Sequence, residues 1–367
     1  MKSIKYIVLL LGATIMCLSE VSSQTEWIKQ SCGTTKELLG VWFTNDSTGI
    51  VVGRGTTILR TTDAGKTWSP PTYPEMTHAL YDICFADAMN GWIAARDSII
   101  LNTTDGGITW SKQVPGGSYE FYSIFCLNNN IVYATGQTIR YTNDGGKNWY
   151  NQRIPNALIW DIFFINANEG FAATGYCNCC TGGSDGAYIY HTTNGGGTWD
   201  LQKYDPSVSG YHGVCFINDS TGTVVGSGGT ILHTTDGGKI WNSQTSGTTE
   251  DIWDIFYVNS NLAYAVGGNC STQRNGIFLC TENGGETWTK QDIPTDYVIN
   301  RIFFINDSTG VAVGAGGTIL WTGVEPVQTK NQENNISGQL SLSQNYPNPF
   351  SRSTSIRFQI PESYHVT

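Results

Sequence analysis

Thr234-Thr235-Asp236-Gly237-Gly238-Lys239-Ile240-Trp241 is one of six copies of the pattern T-x-[D/N]-x-G-x-x-W. The others are Thr61–Trp68, Thr103–Trp110, Thr142–Trp149, Thr192–Trp199 and Thr281–Trp288. Their tryptophans lie 42, 39, 50, 42 and 47 residues apart. A β-patterned unit repeating at about this period is the signature of a propeller blade, because one unit alone cannot bury its faces. Composition agrees: 43 Gly, 12% aromatic and only 14% charged residues suit short strands and tight turns.

Each unit reads as four strands. The innermost has the pattern aromatic-x-I/V-x-F, as in Tyr81–Phe85, Trp160–Phe164 and Trp253–Tyr257. A turn follows, three times spelled Asn-Asp-Ser-Thr-Gly (Asn45–Gly49, Asn218–Gly222, Asn306–Gly310). The second strand is short and small, as in Val224-Val225-Gly226, with glycines expected to let the neighbouring blade approach. A third strand such as Thr230–Thr234 enters the Asp-Gly-Gly turn, and an outer strand opens with Trp and ends in Gln.

The inner strand occurs seven times, at Val41, Ile83, Ile124, Ile162, Val214, Ile255 and Ile302, but the Trp-headed outer strand follows only six of them. Glu26-Trp27-Ile28-Lys29-Gln30 matches Thr109-Trp110-Ser111-Lys112-Gln113 and supplies the missing strand. The expected fold is therefore all-β: a seven-bladed β-propeller of four-stranded antiparallel blades over residues 24–323, closed by its N-terminal strand. Closure removes the free sheet edges of an open array.

The ends read differently. Lys2 and Lys5, the apolar Ile7–Leu18 and Val21-Ser22-Ser23 compose an export signal over residues 1–23, and no other stretch is long and apolar enough to cross a bilayer. Residues 324–339 are a polar linker, and residues 340–367 carry Gln344-Asn345-Tyr346-Pro347-Asn348-Pro349-Phe350 and the alternating Ser355–Pro361. A formal charge of −10 and a pI near 4.9 argue against a nucleic-acid partner.

With these residues laid out, three resemblances can be named. The T-x-D-x-G-x-x-W turn resembles the Asp-box, or bacterial neuraminidase repeat. The whole unit is similar to photosystem II assembly-factor-type propellers and their secreted bacterial relatives, over roughly residues 25–323. The segment from Gln344 resembles the opening of a type IX secretion sorting domain, of which only the start is present. These resemblances imply export to the outer surface or beyond, with the type IX secretion machinery as a partner. The photosystem role is a poor transfer, since nothing in the sequence points to a photosynthetic source.

The Asp-box positions Asp63, Asp105, Asp144, Asn194, Asp236 and Asn283 are expected to be structural, capping backbone N–H groups in a Gly-rich turn. Asn at two of them suits a turn and not a charge-dependent cation site, so no metal and no cofactor is expected. The resemblance places Asp-boxes on the face opposite the ligand. Arg153-Ile154-Pro155 resembles part of a sialidase motif but sits at the end of an outer strand, and where such an enzyme needs three converging arginines, only Arg301 is an arginine among the inner-strand starts.

Seven equivalent positions open the inner strands: Leu39, Tyr81, Tyr122, Trp160, His212, Trp253 and Asn300. The next positions include Asp82, Asp161, Asp254 and Arg301. Inner strands line a propeller's axis, so these side chains either ring the mouth of the channel, or the aromatics pack between blades and the aspartates cap local turns. As a ring, aromatic planes beside carboxylates suit a glycan, peptide or protein ligand. The expected function is a binding or scaffold module, with no catalytic residue assigned. The alternative is a glycosidase using two of the three carboxylates.

Of the nine cysteines after the signal, Cys84, Cys126 and Cys215 read as small buried core residues. Cys270 and Cys280 are expected to pair, with a second bridge within, or from, the Cys177, Cys179 and Cys180 group.

Overall fold

Every inner strand opens one residue earlier than the sequence suggests, on a side chain that is fully buried: Leu38, Leu80, Phe121, Ile159, Tyr211, Ile252 and Ile299. Seven such anchors fix seven sheets around one axis in the computed structural model. It describes residues 26–117, 119–154, 158–175, 186–322, 341–342 and 358–359. The signal, the linker, the Gln344–Phe350 motif and Cys177, Cys179 and Cys180 lie outside the described residues. The chain divides into two units, Met1–Gly323 and Val324–Thr367. The second contributes one short pairing, Ser341–Leu342 with Phe358–Gln359.

The first unit is the seven-bladed, all-β propeller. Blade 5 is typical, with antiparallel strands Tyr211–Phe216, Gly222–Gly226, Thr230–Thr234 and Asn242–Gln244 in sequence order from the axis outward. Blade 7 takes Ile299–Asn306, Thr309–Gly314 and Thr318–Thr322 from the end of the repeat and Ile28–Gln30 from its beginning. Ile28 faces Trp321 and Gln30 faces Ile319, so the ring closes between distant parts of the chain as the sequence implies. Blade 1 has only three strands, Leu38–Phe43, Gly49–Gly53 and Thr57–Thr61. Its fourth is reduced to the bridge Arg60–Ser69, because Pro70 and Pro71 follow and proline cannot donate to a ladder.

Glycines in the second strand serve the fold differently from the expectation. Gly49 and Gly222 lie directly opposite Phe43 and Phe216 of their own blade's inner strand. A Cβ there would sit 2.4 Å and 2.6 Å from those rings. The close approach there is by an aromatic ring of the same blade, and at Gly226 it is by the backbone leading into the same blade's inner strand, with a Cβ 2.3 Å from Gly210 O, so at none of the three is it by the neighbouring blade.

The six repeated turns are built alike. Asp105 Oδ1 accepts from Thr103 Oγ1 (2.8 Å), Ile108 N and Thr109 N, while Oδ2 accepts from Thr109 Oγ1. In Asn194 and Asn283, Oδ1 keeps the bonds from the threonine two residues back and from the backbone, and Nδ2 donates to Thr198 Oγ1 or Thr287 Oγ1. The threonine hydroxyl reverses its role, so Asn fits the same turn. The Asn148 side chain and backbone amide hold Asp144 down to about 2. Each turn also donates one N–H to the turn joining the first two strands of its blade, as Gly237 N does to Ser220 O at 2.9 Å. That turn follows the far end of the inner strand, so the repeated turns lie on the face opposite the inner-strand starts. We predict that Asp105→Asn leaves thermal stability nearly unchanged. Asp105→Ala should cost about 1 kcal/mol, readable in urea unfolding.

The glutamine that ends an outer strand reaches the next blade. Gln113 Oε1 accepts from Trp149 Nε1 at 3.3 Å, and Gln244 Oε1 accepts from Trp288 Nε1 at 2.9 Å. These are the Trp and Gln positions of the repeat, used as a clasp between neighbours.

Candidate functional site

A bulge recurs at one place in every blade. Leu38 pairs with Gly53 and Gly40 with Val52, so Leu39 is an extra residue between them. Tyr81, Tyr122, Trp160, His212, Trp253 and Asn300 are the extra residues of the other six blades. A bulge re-aims a side chain out of the alternation of its strand. All seven side chains line one cavity of about 600 Å³ on the face away from the repeated turns.

Five of the seven form a continuous aromatic wall. Tyr81 meets Tyr122 edge-on at 5.1 Å, Tyr122 stacks on Trp160 at 4.9 Å, and His212 stacks on Trp253 at 4.3 Å. Trp160 touches both His212 and Trp253. The indole N–H groups are already used: Trp160 Nε1 donates to Gly175 O and Trp253 Nε1 to Gly268 O. Buried His212 has Nδ1 3.2 Å from Ile252 O and Nε2 3.3 Å from Ser227 Oγ. A carbonyl can only accept, so Nδ1 carries the proton and Nε2 accepts from the serine. Burial pushes its pKa down to about 4, which keeps the ring neutral.

The rim holds residues the sequence did not single out. Glu37 and Glu120, each just before an inner strand, pair with Arg54 and with Arg96, and Tyr122 Oη donates to Glu120 Oε2 at 2.6 Å. Asn300 Nδ2 donates to Glu37 Oε1 and Leu38 O, tying blade 7 to blade 1. Cys270, Ser271 and Gln273 enter from the hairpin of blade 6, as expected of an enlarged loop on this face.

Asp82, Asp161 and Asp254 follow the bulge and do not line the cavity. They join blades instead. Asp82 Oδ2 accepts from Ile124 N (3.0 Å), Asp161 Oδ2 from Val214 N (2.9 Å) and Asp254 Oδ2 from Ile302 N (2.9 Å), each across a blade boundary. Arg301, which does line the cavity, lies 3.7 Å from Asp82 and 3.8 Å from Asp254. Ser123 Oγ sits 3.0 Å from Asp82 and 2.9 Å from Asp161. One hydroxyl hydrogen cannot serve two carboxylates, so the geometry calls for a proton on Asp161 that it donates to Ser123. Burial agrees: it raises Asp161 to about 7 and Asp254 to about 6, against the opposing pull of Arg301. Burial also works against the Arg301 charge, but the three carboxylates outweigh it and hold its pKa above the usual value.

This layer predicts a pH effect. A carboxyl whose folded pKa is raised contributes stability below its unfolded pKa, near 3.8, and loses it as pH rises through about 7. In Asp161→Asn the amide can donate to Ser123 and accept from Val214 N. The variant should match the parent near pH 4 and exceed it by up to about 4 kcal/mol at pH 8, measured by urea unfolding at both.

The cysteines depart from the expected pairing. Cys84 and Cys126 form a disulfide, with Cα atoms 5.8 Å apart, between the inner strands of blades 2 and 3. They are one position out of step in the repeat, yet neighbouring inner strands lie side by side and the spacing suits a bridge. Cys280 is a free, buried thiol and does not pair with Cys270. It lies near the far end of the strand Arg274–Thr281, about 20 Å of extended chain from the turn that carries Cys270. Cys270 is disulfide-bonded to another cysteine, and Cys32 and Cys215 are free.

The model of the photosynthesis system II assembly factor YCF48 family matches residues 19–112 and 72–210, more than half of the chain. The chain belongs to that family. Among solved structures, YCF48 bound to D1 peptide superposes with a TM-score of 0.67 at 24% identity, covering 82% of this chain and 97% of that one. YCF48 from Cyanidioschyzon merolae gives 0.65 at 19%, covering 82% of this chain and all of that one. A GH74 xyloglucanase from Xanthomonas campestris gives 0.58 at 10%, covering 81% of this chain and 53% of that one. At these identities the likenesses establish the fold. No curated protein matches significantly.

Proposed function

We propose that this propeller is an exported recognition module that holds a peptide segment of a partner protein in the cavity ringed by the seven bulge residues. The observation that carries the reading is the bulge itself. Seven independent strands each spend a ladder position to turn one side chain, mostly aromatic, into the same space. The volume lies within the range of small-ligand and short-segment pockets. A family relative solved with a bound D1 peptide supports a peptide over a glycan as the ligand.

Hydrolysis is less well supported: Asp82, Asp161 and Asp254 already accept inter-blade hydrogen bonds and lie outside the cavity lining, and the two carboxylates that do line it, Glu37 and Glu120, are paired with Arg54 and Arg96. Export, and passage through a type IX machinery, are supported by the N-terminal signal pattern and the Gln344–Phe350 motif. Panning a random displayed-peptide library against the full chain, beside a glycan array, tests the binding role. Enrichment of peptides that Trp160→Ala abolishes is expected. Glycan binding without peptide enrichment would overturn it.

A further inference from the structure

We infer that the cavity selects a positively charged side chain, an ammonium or guanidinium group, over a neutral or anionic one. This rests on the cavity being the recognition site. The rim contributes no net charge, because Glu37 is paired with Arg54 and Glu120 with Arg96. Arg301 lines the cavity, and behind the lining its guanidinium faces three carboxylates, Asp82, Asp161 and Asp254, an excess of two negative charges when all are ionised. Asp82 and Asp254 keep 14% and 15% of their side-chain surface accessible, so neither carboxylate is fully sealed off.

Arg301 opposes the field of these carboxylates with one charge against three, and the remaining groups add no positive charge. His212 is neutral, with both nitrogens engaged. Cys215, next to Asp161 and Asp254, stays a neutral thiol because burial pushes it up to about 12. Trp160 and Trp253 have spent their N–H donors on Gly175 O and Gly268 O, so toward a ligand they offer π surface and C–H edges. Aromatic faces attract cations, and the attraction grows where water is excluded. An anion would meet the same faces and the same surplus of carboxylates, with Arg301 already shared between two of them.

The preference should depend on pH. With Asp161 and Asp254 ionised, the layer holds three negative charges and one positive. With both protonated, the layer loses two of its negative charges while Arg301 keeps its positive one. Cation affinity therefore falls as pH drops through about 7 and 6.

The test titrates the full chain at fixed ionic strength with tetramethylammonium, tert-butanol as its neutral counterpart, and acetate, followed by tryptophan fluorescence and by NMR. At pH 8, tetramethylammonium should bind about tenfold more tightly than tert-butanol, and acetate should not bind. At pH 5 the advantage should largely vanish, and Trp253→Leu should reduce it at pH 8. Equal binding of tert-butanol, binding of acetate, or no tetramethylammonium-specific change at pH 8 would overturn the inference. Small-cation binding alongside a failed peptide panning would sink the peptide reading alone. Cavity-dependent peptides without cationic residues, and no cation preference, would sink the charge selection alone.

Discussion

Arg301→Met should destabilise the propeller by about 3–5 kcal/mol at pH 8 and by much less at pH 5, measured by urea unfolding at both. Methionine fills much of the same volume, so the loss comes mainly from charge. Without the guanidinium, Asp82 and Asp254 lose their ion pairs, and all three carboxylates remain in a confined layer where they repel one another. Their oxygens also hold Ile124, Val214 and Ile302 across blade boundaries, so relaxation away from one another would break inter-blade bonds. At pH 5, Asp161 and Asp254 lie below their raised pKa values of about 7 and 6 and are protonated, so two of the layer's negative charges are gone. Adding Asp82→Asn should recover part of the loss at pH 8. An equal loss at both pH values would show that packing, not charge, is the role of Arg301.

Trp27→Ala should cost about 3–5 kcal/mol and open the ring at one seam. Trp27 is 4% exposed and lies 4.6 Å from Phe278, with Tyr264 and Phe304 each 6.0 Å away. It anchors a strand of only three residues, Ile28–Gln30, whose pairing with Thr318–Thr322 joins the two ends of the repeat. Other outer strands follow the strand they pair with through a repeated turn, whereas this one reaches Thr318–Thr322 from the other end of the repeat. Hydrogen exchange should therefore rise first along Thr318–Thr322, and the exposed edge should promote self-association. Uniform loss of protection in all blades, with no excess at this seam, would count against strand closure as the weak point.

Much of the fold was legible because a repeat states its rule many times over. Seven inner strands and six outer strands left one vacancy, and only Glu26–Gln30 matched it. The ring positions were legible for the same reason. Tyr81, Tyr122, Trp160, His212 and Trp253 occupy one place in the unit, and the structure brings them to one cavity. The bulge that aims them was not legible, because it is a property of the pairing between two strands and leaves no mark in either alone. The three aspartates were misplaced for a related reason. Their partners, Ile124, Val214 and Ile302, are backbone N–H groups of the next blade, which any residue there would provide. The Cys84–Cys126 bridge was hidden by reading each cysteine against its own position in the repeat and not against the adjacent strand.

Calorimetry with a peptide selected by panning tests the central claim most directly, comparing Trp253→Ala in the cavity with Ile240→Asp on the opposite face. Ile240 is 60% exposed beside a repeated turn, so its replacement leaves the cavity untouched. If the bulge residues form the recognition site, Trp253→Ala weakens binding at least about tenfold, worth roughly 1.4 kcal/mol, with its melting transition still cooperative, and Ile240→Asp changes nothing. Binding that survives Trp253→Ala and is lost with Ile240→Asp would place recognition on the face of the repeated turns and contradict the account.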